Sequence, residues 1–367
     1  MLKMILYIII FVTVAVYLFL NFAPVFGDIS KGESKTRIEN SSKFIDGKFQ
    51  NLVSTSMSFK KVEDYNNDYI TNSKIGKRPK NPLPSVKFNK EDFAANNGNS
   101  ITWLGHSTIL MKLENKIIIS DPVFNNASPF SAIFGPAPFK YENKITVEDL
   151  PKNIDVVLIT HDHYDHLDYK TIKEINPNVG KFLVPLGNKA HLLKWGLPAN
   201  KIEEFDWYDN LSFENIDFTF TPSRHFSGRT IRDRFATLWG GWIIKSKKNN
   251  LFISGDGGYY DEFKKIGEKY GQFDLAFIEN GAYNPRWANI HLFPEQGVQA
   301  SFDVKAKIAL PIHWGKFSLS SHNWKEPIER FTMEAKKRNL TIATPLIGQT
   351  FIIDGDIPNE NWWNSLE

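Results

Sequence analysis

Residues 161–168 contain three histidines and three aspartates. The preceding run, residues 155–159, is apolar and β-branched, and it predicts a buried strand that ends where the polar residues begin. Neutral imidazole and carboxylate are ligands that suit zinc and the neighbouring transition metals. The pattern therefore predicts a metal site at the carboxyl end of a strand.

Spacing within this stretch indicates which side chains converge. His161, His163 and Asp165 alternate, and alternate residues of an extended segment face the same way. His166 follows where the chain turns into a predicted helix over residues 169–175. Because one catalytic zinc takes about three protein ligands, four candidates this close together predict two ions in one cluster. The alternative is a polar helix N-terminus with incidental histidines.

Three more candidate ligands share one sequence context, since each comes just after an apolar strand. His225 follows residues 218–221, Asp256 follows 251–253, and His313 follows 308–312. In an open α/β sheet the carboxyl ends of the strands face a common crevice where ligands bind. We expect these three side chains to complete the metal cluster.

Composition excludes several classes of site. The 367 residues include 44 basic and 41 acidic side chains, and no basic run of five occurs, so we expect no nucleic-acid partner. There is no cysteine, which excludes disulfides, thiolate zinc ligands and a cysteine nucleophile.

The amino-terminal residues predict a membrane segment. Residues 4–27 carry no charge, and as a helix they would extend about 36 Å, enough to cross about 30 Å of hydrocarbon. The alternative is a signal peptide cleaved near residues 25–27. We expect residues 1–27 to be an uncleaved single-pass anchor. The few flanking charges leave the side of the membrane open.

The remaining pattern predicts the domain organisation. Residues 28–97 are polar and weakly periodic, and we expect a linker followed by an arm lying on the core. Strand runs dominate the start of each half of residues 98–367, and helices intervene later. This order predicts one domain of two packed sheets with helices outside, an α/β sandwich.

Taken together, these residues resemble the metallo-β-lactamase fold superfamily. Within it they are similar to the N-acyl-phosphatidylethanolamine-hydrolysing phospholipase D family and its bacterial relatives. The resemblance covers about residues 100–320, and the tryptophan-rich and Gly-Ala-Tyr segments favour this branch. It rests on residues 103–108, 121–122, 128–129, 155–168, 222–229, 238–240, 255–256, 273–276, 281–287 and 312–315. It implies an αββα sandwich for residues 98–367.

The resemblance also implies a ligand set for two zinc ions per chain. The first ion would be held by His161, His163 and His225. The second would be held by Asp165, His166 and His313. Asp256 would bridge the pair and thereby take part in catalysis.

One further histidine is implied to be catalytic. His291, followed by Pro294 and Glu295, matches a His-x-x-Pro-Glu segment of the family. It would lie beside the phosphate and assist proton transfer. Two departures from the family pattern are visible: residues 279–280 replace an apolar-Pro-Ile run before Gly281, and Gly257 replaces a threonine. Neither departure removes a ligand.

The predicted function is a membrane-anchored, dinuclear zinc phosphodiesterase that acts on a phospholipid-like substrate; the oligomeric state is left open. One alternative is a lactonase or small-ester hydrolase with the same site. A diiron redox protein of this fold is disfavoured, because that family has Glu where this chain has His163. An inactive binding module is disfavoured by the complete ligand set, and thiolate-ligating β-lactamases by the absence of cysteine.

Several polar neighbours have more than one interpretation. Asp121 is a candidate for orienting a ligand imidazole, as is His106. Asp168 is either a second such carboxylate or a helix N-cap. Arg224 and Arg229 either meet phosphate or form surface salt bridges.

Overall fold

The structure is a computed structural model that describes residues 2–56, 76–129 and 135–366. It begins with helix α1 (Leu2–Phe22), and a separate 3-10 turn (Pro24–Phe26) follows. The helix ends at Phe22 because Pro24 disfavours the helical conformation at Ala23, whose ψ is 127°. Residues 1–27 thus contain a helix shorter than the apolar run, although it is still about 31 Å long.

Residues 28–97 contain more secondary structure than their polar composition indicated. They form helix α2 (Gly32–Asn40), the hairpin of β1 (Phe44–Ile45) and β2 (Lys48–Phe49), and helix α3 (Lys90–Ala95). Ile38 and Phe49 are buried in the main core. Residues 57–75 of this predicted linker and arm lie outside the described residues.

The first of two seven-stranded sheets has the order β16-β3-β4-β5-β6-β7-β8. Its strands are β3 (Ser100–Trp103), β4 (Ile109–Leu113), β5 (Lys116–Ser120), β6 (Ile154–Leu158), β7 (Val179–Pro185), β8 (Ile202–Phe205) and β16 (Thr350–Ile352). From β5 to β8 the neighbouring strands are parallel. Helices α4 (Tyr169–Ile175) and α5 (Lys189–Lys194) lie in the connections between these strands.

The second sheet has the order β15-β14-β13-β12-β11-β10-β9. Its strands are β9 (Asn210–Phe213), β10 (Ile216–Thr221), β11 (Gly241–Lys245), β12 (Asn250–Ile253), β13 (Phe273–Glu279), β14 (Ala306–Ile312) and β15 (Thr341–Ile342). From β12 to β15 the strands are parallel. The intervening helices are α6 (Glu262–Tyr270), α7 (Pro294–Asp303) and α8 (Glu326–Lys337).

The two sheets pack face to face. Their inner faces share one cluster of buried side chains, which includes Trp103, Phe220 and Phe277. Separate clusters lie on the outer faces, one under α4 and one under α6, α7 and α8. This arrangement confirms the predicted αββα sandwich.

The sequence predicted the edge strand β16, as a strand over residues 350–353, but not the other three edge strands. β8 and β9 lie at the edges of their sheets, and so does the two-residue strand β15. No residue of β9 is fully buried, although Leu211 and Phe213 pack against the inner cluster, and β8 carries two glutamates. Short, polar edge strands protect a sheet from pairing with another chain, but a run of two to four residues is too short for periodicity to identify it as a strand.

Candidate metal centre

Residues 160–168 connect β6 to α4 in a compact turn. The carbonyl of His163 accepts hydrogen bonds from the backbone N–H groups of His166, at 3.0 Å, and Leu167, at 2.8 Å. Asp168 is the N-cap of α4, because its carboxylate accepts from the Lys170 N–H at 3.1 Å. The alternation of His161, His163 and Asp165 is therefore followed by a tight turn that brings His166 to the same side.

The other three candidate ligands lie beyond strands of the second sheet. His225 follows β10, Asp256 follows β12, and His313 follows β14 directly. Asp256 is positioned by Gly255, where φ is +61° and a Cβ atom would stand 2.1 Å from the Gly240 carbonyl oxygen. Only glycine fits this backbone, which brings Asp256 to the edge where the first sheet delivers its histidines.

Three imidazoles form a first group of donors. His161 Nε2 lies 2.9 Å from His163 Nδ1, and His225 Nε2 lies 3.3 Å from the same atom. Nitrogen donors on a tetrahedral zinc ion stand about 3.3 Å apart, given Zn–N bonds of about 2.0–2.1 Å. The three side chains therefore have the separation that a single ion requires.

A second group combines imidazole and carboxylate. His313 Nε2 lies 3.3 Å from Asp165 Oδ2 and 3.0 Å from Asp256 Oδ2. His166 Nε2 lies 3.4 Å and 3.2 Å from the same two oxygens. Asp256 Oδ2 is also 4.0 Å from His161 Nε2, so this carboxylate faces both groups. All seven residues singled out in the sequence meet here.

Bound transition-metal ions would satisfy the donor atoms better than hydrogen bonds among these atoms do. His166 Nε2 is buried and has no hydrogen-bond partner among the described residues, although two carboxylate oxygens lie within 3.4 Å of it. A buried imidazole nitrogen left without a hydrogen bond costs about 1–3 kcal/mol unless something else binds it. A cation among these donors would satisfy that nitrogen, and the all-N/O set agrees with zinc.

The two groups differ in their electrostatics. Burial lowers the pKa of His161 and of His225 well below the usual value, and neighbouring imidazoles lower it further, so both rings are neutral. Burial also opposes protonation of His313, but Asp256 and Asp165 outweigh it and raise the pKa of His313 to about 10. The same two carboxylates raise the pKa of His166. Without a metal, protons therefore occupy the second group.

Hydrogen bonds outside the two groups fix the ligand rings. Asp121 Oδ2 accepts from His166 Nδ1 at 2.7 Å, so Asp121 orients this imidazole as the sequence indicated. His225 Nδ1 donates to the Ile290 carbonyl at 2.8 Å. His106 Nε2 lies 2.9 Å from Asp165 Oδ2, which favours the interpretation of His106 as a neighbour of the metal ligands.

The two arginines form hydrogen bonds to backbone carbonyls and not the surface salt bridges considered for them. Arg229 is buried, and its guanidinium donates to the carbonyls of Asp162, Leu167 and Val25. Arg224 donates to the carbonyls of Ser54 and Tyr259. Both side chains satisfy backbone oxygens around the centre, and neither forms an ion pair with the described residues.

A cavity of about 300 Å³ opens beside both donor groups. Its walls include metal-ligand candidates together with Phe226, Arg234, Trp287, Leu319 and His291. The sequence singled out His291 through its resemblance but gave no signal for Arg234. It also assigned no role to Glu279, whose fully buried carboxylate contacts His291 Nδ1.

Comparison with known proteins agrees with this geometry. The sequence pattern of the Beta-lactamase superfamily domain matches residues 116–314, more than half of the chain. The N-acyl-phosphatidylethanolamine-hydrolyzing phospholipase D 1 of Caenorhabditis elegans is 36% identical over 252 residues, covering 65% of this chain and 70% of the relative. The chain belongs to the metallo-β-lactamase superfamily and, within it, to the N-acyl-phosphatidylethanolamine-hydrolysing phospholipase D-like family. It is a metal-dependent hydrolase of this fold.

Further relatives and solved structures match a larger part of the chain. An uncharacterized protein of Mycobacterium tuberculosis is 35% identical over 331 residues, which cover 89% of this chain and 88% of that protein. Among solved structures, the metallo hydrolase Igni18 of Ignicoccus hospitalis has a TM-score of 0.54 at 19% identity, covering 71% of this chain and all of that one. The diiron β-hydroxylase CmlA of Streptomyces venezuelae has the same TM-score at 20% identity, covering 70% of this chain and 55% of that one. These two likenesses concern the fold alone.

Replacing the shared carboxylate should affect both donor groups. We expect Asp256→Asn to lower the amount of bound metal and to lower activity with it, because a neutral amide replaces the charge that faces both donor groups. Elemental analysis of protein purified without chelator measures the change. Asp274→Asn, at a carboxylate paired with Lys307 on the surface, is the matched control. Full occupancy and activity in Asp256→Asn would contradict a bridging role.

Metal affinity should depend on pH differently in the two groups. Below pH 10 an ion entering the second group must displace the proton on His313, and His166 adds a second proton. Affinity there should rise by about tenfold per pH unit for each proton displaced, whereas the first group, already neutral, should respond weakly. Competition with a chromophoric chelator at pH 6, 7 and 8 resolves the two constants. Equal slopes at both sites would contradict this electrostatic assignment.

Proposed function

We propose that the chain is a dinuclear zinc phosphodiesterase that hydrolyses N-acyl-phosphatidylethanolamine or a related phospholipid. One observation carries the proposal: two donor groups share Asp256, and His291 lies beside both. The His291 ring centroid is 5.1 Å from that of His225, in the first group, and 5.6 Å from that of His313, in the second. The family to which the chain belongs supports the substrate class.

The proposed reaction requires only the metal ligands and His291 to act on the substrate. Zinc ions held by the two groups would acidify the attacking water and stabilise negative charge on the phosphoryl oxygens. The oxygen of that water joins phosphorus, and the bond from phosphorus to the headgroup oxygen breaks. His291 takes up the proton that this water releases and gives it to the departing oxygen, so that the products are phosphatidic acid and an N-acylethanolamine.

The cavity walls suit such a substrate. Phe226, Trp287 and Leu319 supply apolar surface for acyl chains, while Arg234 supplies a positive charge for the phosphodiester. The Arg234 guanidinium lies over the Phe226 ring, 4.7 Å from its centroid. Stacking of this kind holds the cation at the cavity wall, where it attracts an anionic lipid.

Removal of the His291 side chain should lower the rate of hydrolysis without lowering the metal content. We expect His291→Ala to reduce phosphatidic acid release by about 10²–10⁴-fold with the metal content unchanged. The measurement uses vesicles that contain N-acyl-phosphatidylethanolamine, with product detection by mass spectrometry. His322→Ala is the control, since that ring stacks on Tyr283 and is not among the residues that line the cavity.

The same assay tests the substrate class. Purified wild-type protein is offered a panel of phospholipids, simple lactones and a soluble phosphodiester. Release of phosphatidic acid supports the proposal. Efficient lactone hydrolysis without phosphatidic acid from any phospholipid would replace it with a lactonase function.

We also propose that α1 is retained and anchors the protein in a membrane. Its length and composition permit a span, and its side chains are exposed almost throughout. The 3-10 turn that follows, Pro24–Phe26, is held against the core by hydrogen bonds and by a buried side chain. Trp195 Nε1 donates to the Pro24 carbonyl at 2.6 Å, Arg229 Nε donates to the Val25 carbonyl at 2.9 Å, and Phe26 is buried. Cleavage near residues 25–27 would remove these contacts, which favours an intact anchor over a signal peptide.

Deletion of residues 2–22 should distinguish interfacial from soluble turnover. An anchor raises the effective concentration of lipid at the site without adding contacts to the substrate. We therefore expect a large loss of activity on vesicles and little change on a soluble phosphodiester. Mass spectrometry of the native protein provides the independent check, because a mature chain that starts near Asp28 would show that the segment is a cleaved signal.

A further inference from the structure

Glu279 is a fully buried carboxylate at the carboxyl end of β13, in the middle of the second sheet. Its position is one at which the sequence departs from the family pattern. A buried carboxylate is costly unless hydrogen bonds compensate for the lost hydration. The partners of Glu279 therefore indicate why it is there.

Within the described part of the chain, the hydrogen bonds to the Glu279 carboxylate all come from the surroundings of the metal centre. Oε2 accepts from the N–H of Gly257, at 2.9 Å, and from the N–H of Leu292, at 3.2 Å. Oε1 contacts His291 Nδ1 closely. Gly257 directly follows Asp256, and Leu292 directly follows His291. One carboxylate thus ties the loop that carries the shared ligand to the segment that carries the catalytic histidine.

The close contact selects one form of the His291 ring. Burial raises the pKa of Glu279, while the neighbouring His291 lowers it. The two N–H groups that donate to Oε2 favour the ionised carboxylate, which only accepts hydrogen bonds, so His291 Nδ1 donates to it. The proton of the neutral ring then resides on Nδ1, and Nε2 is left for the cavity that His291 lines. A ring in this form accepts a proton at Nε2 and delivers it from the same atom.

The alternatives for Glu279 fit the contacts less well. As a metal ligand, Glu279 would share an ion with Asp256, His291 and His313. That ion would compete for the Oε1 atom that contacts His291 Nδ1. As a support for the ligand His313 it would need a hydrogen bond to Nδ1, yet that nitrogen lies 3.8 Å from Oε1 and has no hydrogen-bond partner among the described residues.

We propose that Glu279 is a positioning residue for His291, holding the ring in its Nδ1–H form so that Nε2 exchanges the proton with the substrate oxygen. The assignment of catalysis to His291 rests on the proposed function. The orientation of the ring by Glu279 does not, and the two are tested separately below.

Ring protonation is the first test. Full-length protein labelled with ¹⁵N-histidine, loaded with two equivalents of zinc in detergent micelles, gives long-range ¹H–¹⁵N spectra of the imidazoles. The His291 signals are those lost in His291→Ala. We expect the proton on Nδ1 in the wild type and a shift toward Nε2–H in Glu279→Gln, whose amide group donates to Nδ1. A wild-type ring protonated on Nε2, or one unchanged by Glu279→Gln, would overturn the proposal.

A double-mutant cycle is the second test. Glu279→Gln should slow turnover by about 10–100-fold with metal content unchanged, the loss typical of a partner that orients a functional histidine. In the His291→Ala background the same substitution should cost less than about twofold, because the ring on which it acts is absent. Equal losses in both backgrounds, or a lower metal content, would mean that Glu279 supports the fold or His313 instead.

The controls separate this proposal from the one on which it rests. Glu262→Gln replaces another buried glutamate, which accepts hydrogen bonds from Tyr208 and Lys265, and should leave both readouts unchanged. If no phospholipid is hydrolysed, the proposed function fails, and the cycle is run on whichever substrate of the panel is turned over. The ring spectra need no substrate, so their outcome stands by itself.

Discussion

The structure around the site depends on positive charge placed among buried carboxylates. Asp121, Asp256 and Glu279 are buried, and Asp165 is nearly so. Removing carboxylates from water is expensive unless cations or hydrogen bonds compensate for it. In the metal-free protein His166 and His313 supply part of that charge as protons. Metal ions would supply it without them, so binding of metal and stability of this region are linked.

The need to place positive charge among these carboxylates also explains why the site lies between the two sheets of the sandwich. Each sheet has parallel strands whose carboxyl ends reach the same edge of the domain. The first sheet supplies the histidines and aspartate of residues 161–166, and the second supplies His225, Asp256 and His313. Neither sheet carries a complete site. A bound metal pair would therefore add a link between the two sheets at this edge of their shared apolar core.

The sequence predicted those parts of the structure that have local patterns. The motif at residues 160–168 has alternation and follows an apolar strand, and His225, Asp256 and His313 repeat that context. Glu279 could not be predicted in this way, because its partners lie 12 and 22 residues away and a single carboxylate has no periodicity. Arg229 resembled a surface arginine for the same reason. Its partners, the carbonyls of Val25, Asp162 and Leu167, are brought together only by the fold.

Because the connection between α1 and the core is short, it would limit how far the cavity can lie from a bilayer that contains α1. Five residues separate Phe22 from Asp28, whose N–H already donates to His191 Nδ1 at 3.1 Å, and Arg232 donates to Asn21 at 3.0 Å. With α1 in a bilayer, the domain would have almost no tether to extend. The cavity would sample one leaflet at a fixed height, and new substrate would arrive by lateral diffusion. Turnover would then follow the mole fraction of substrate in the surface rather than its bulk concentration.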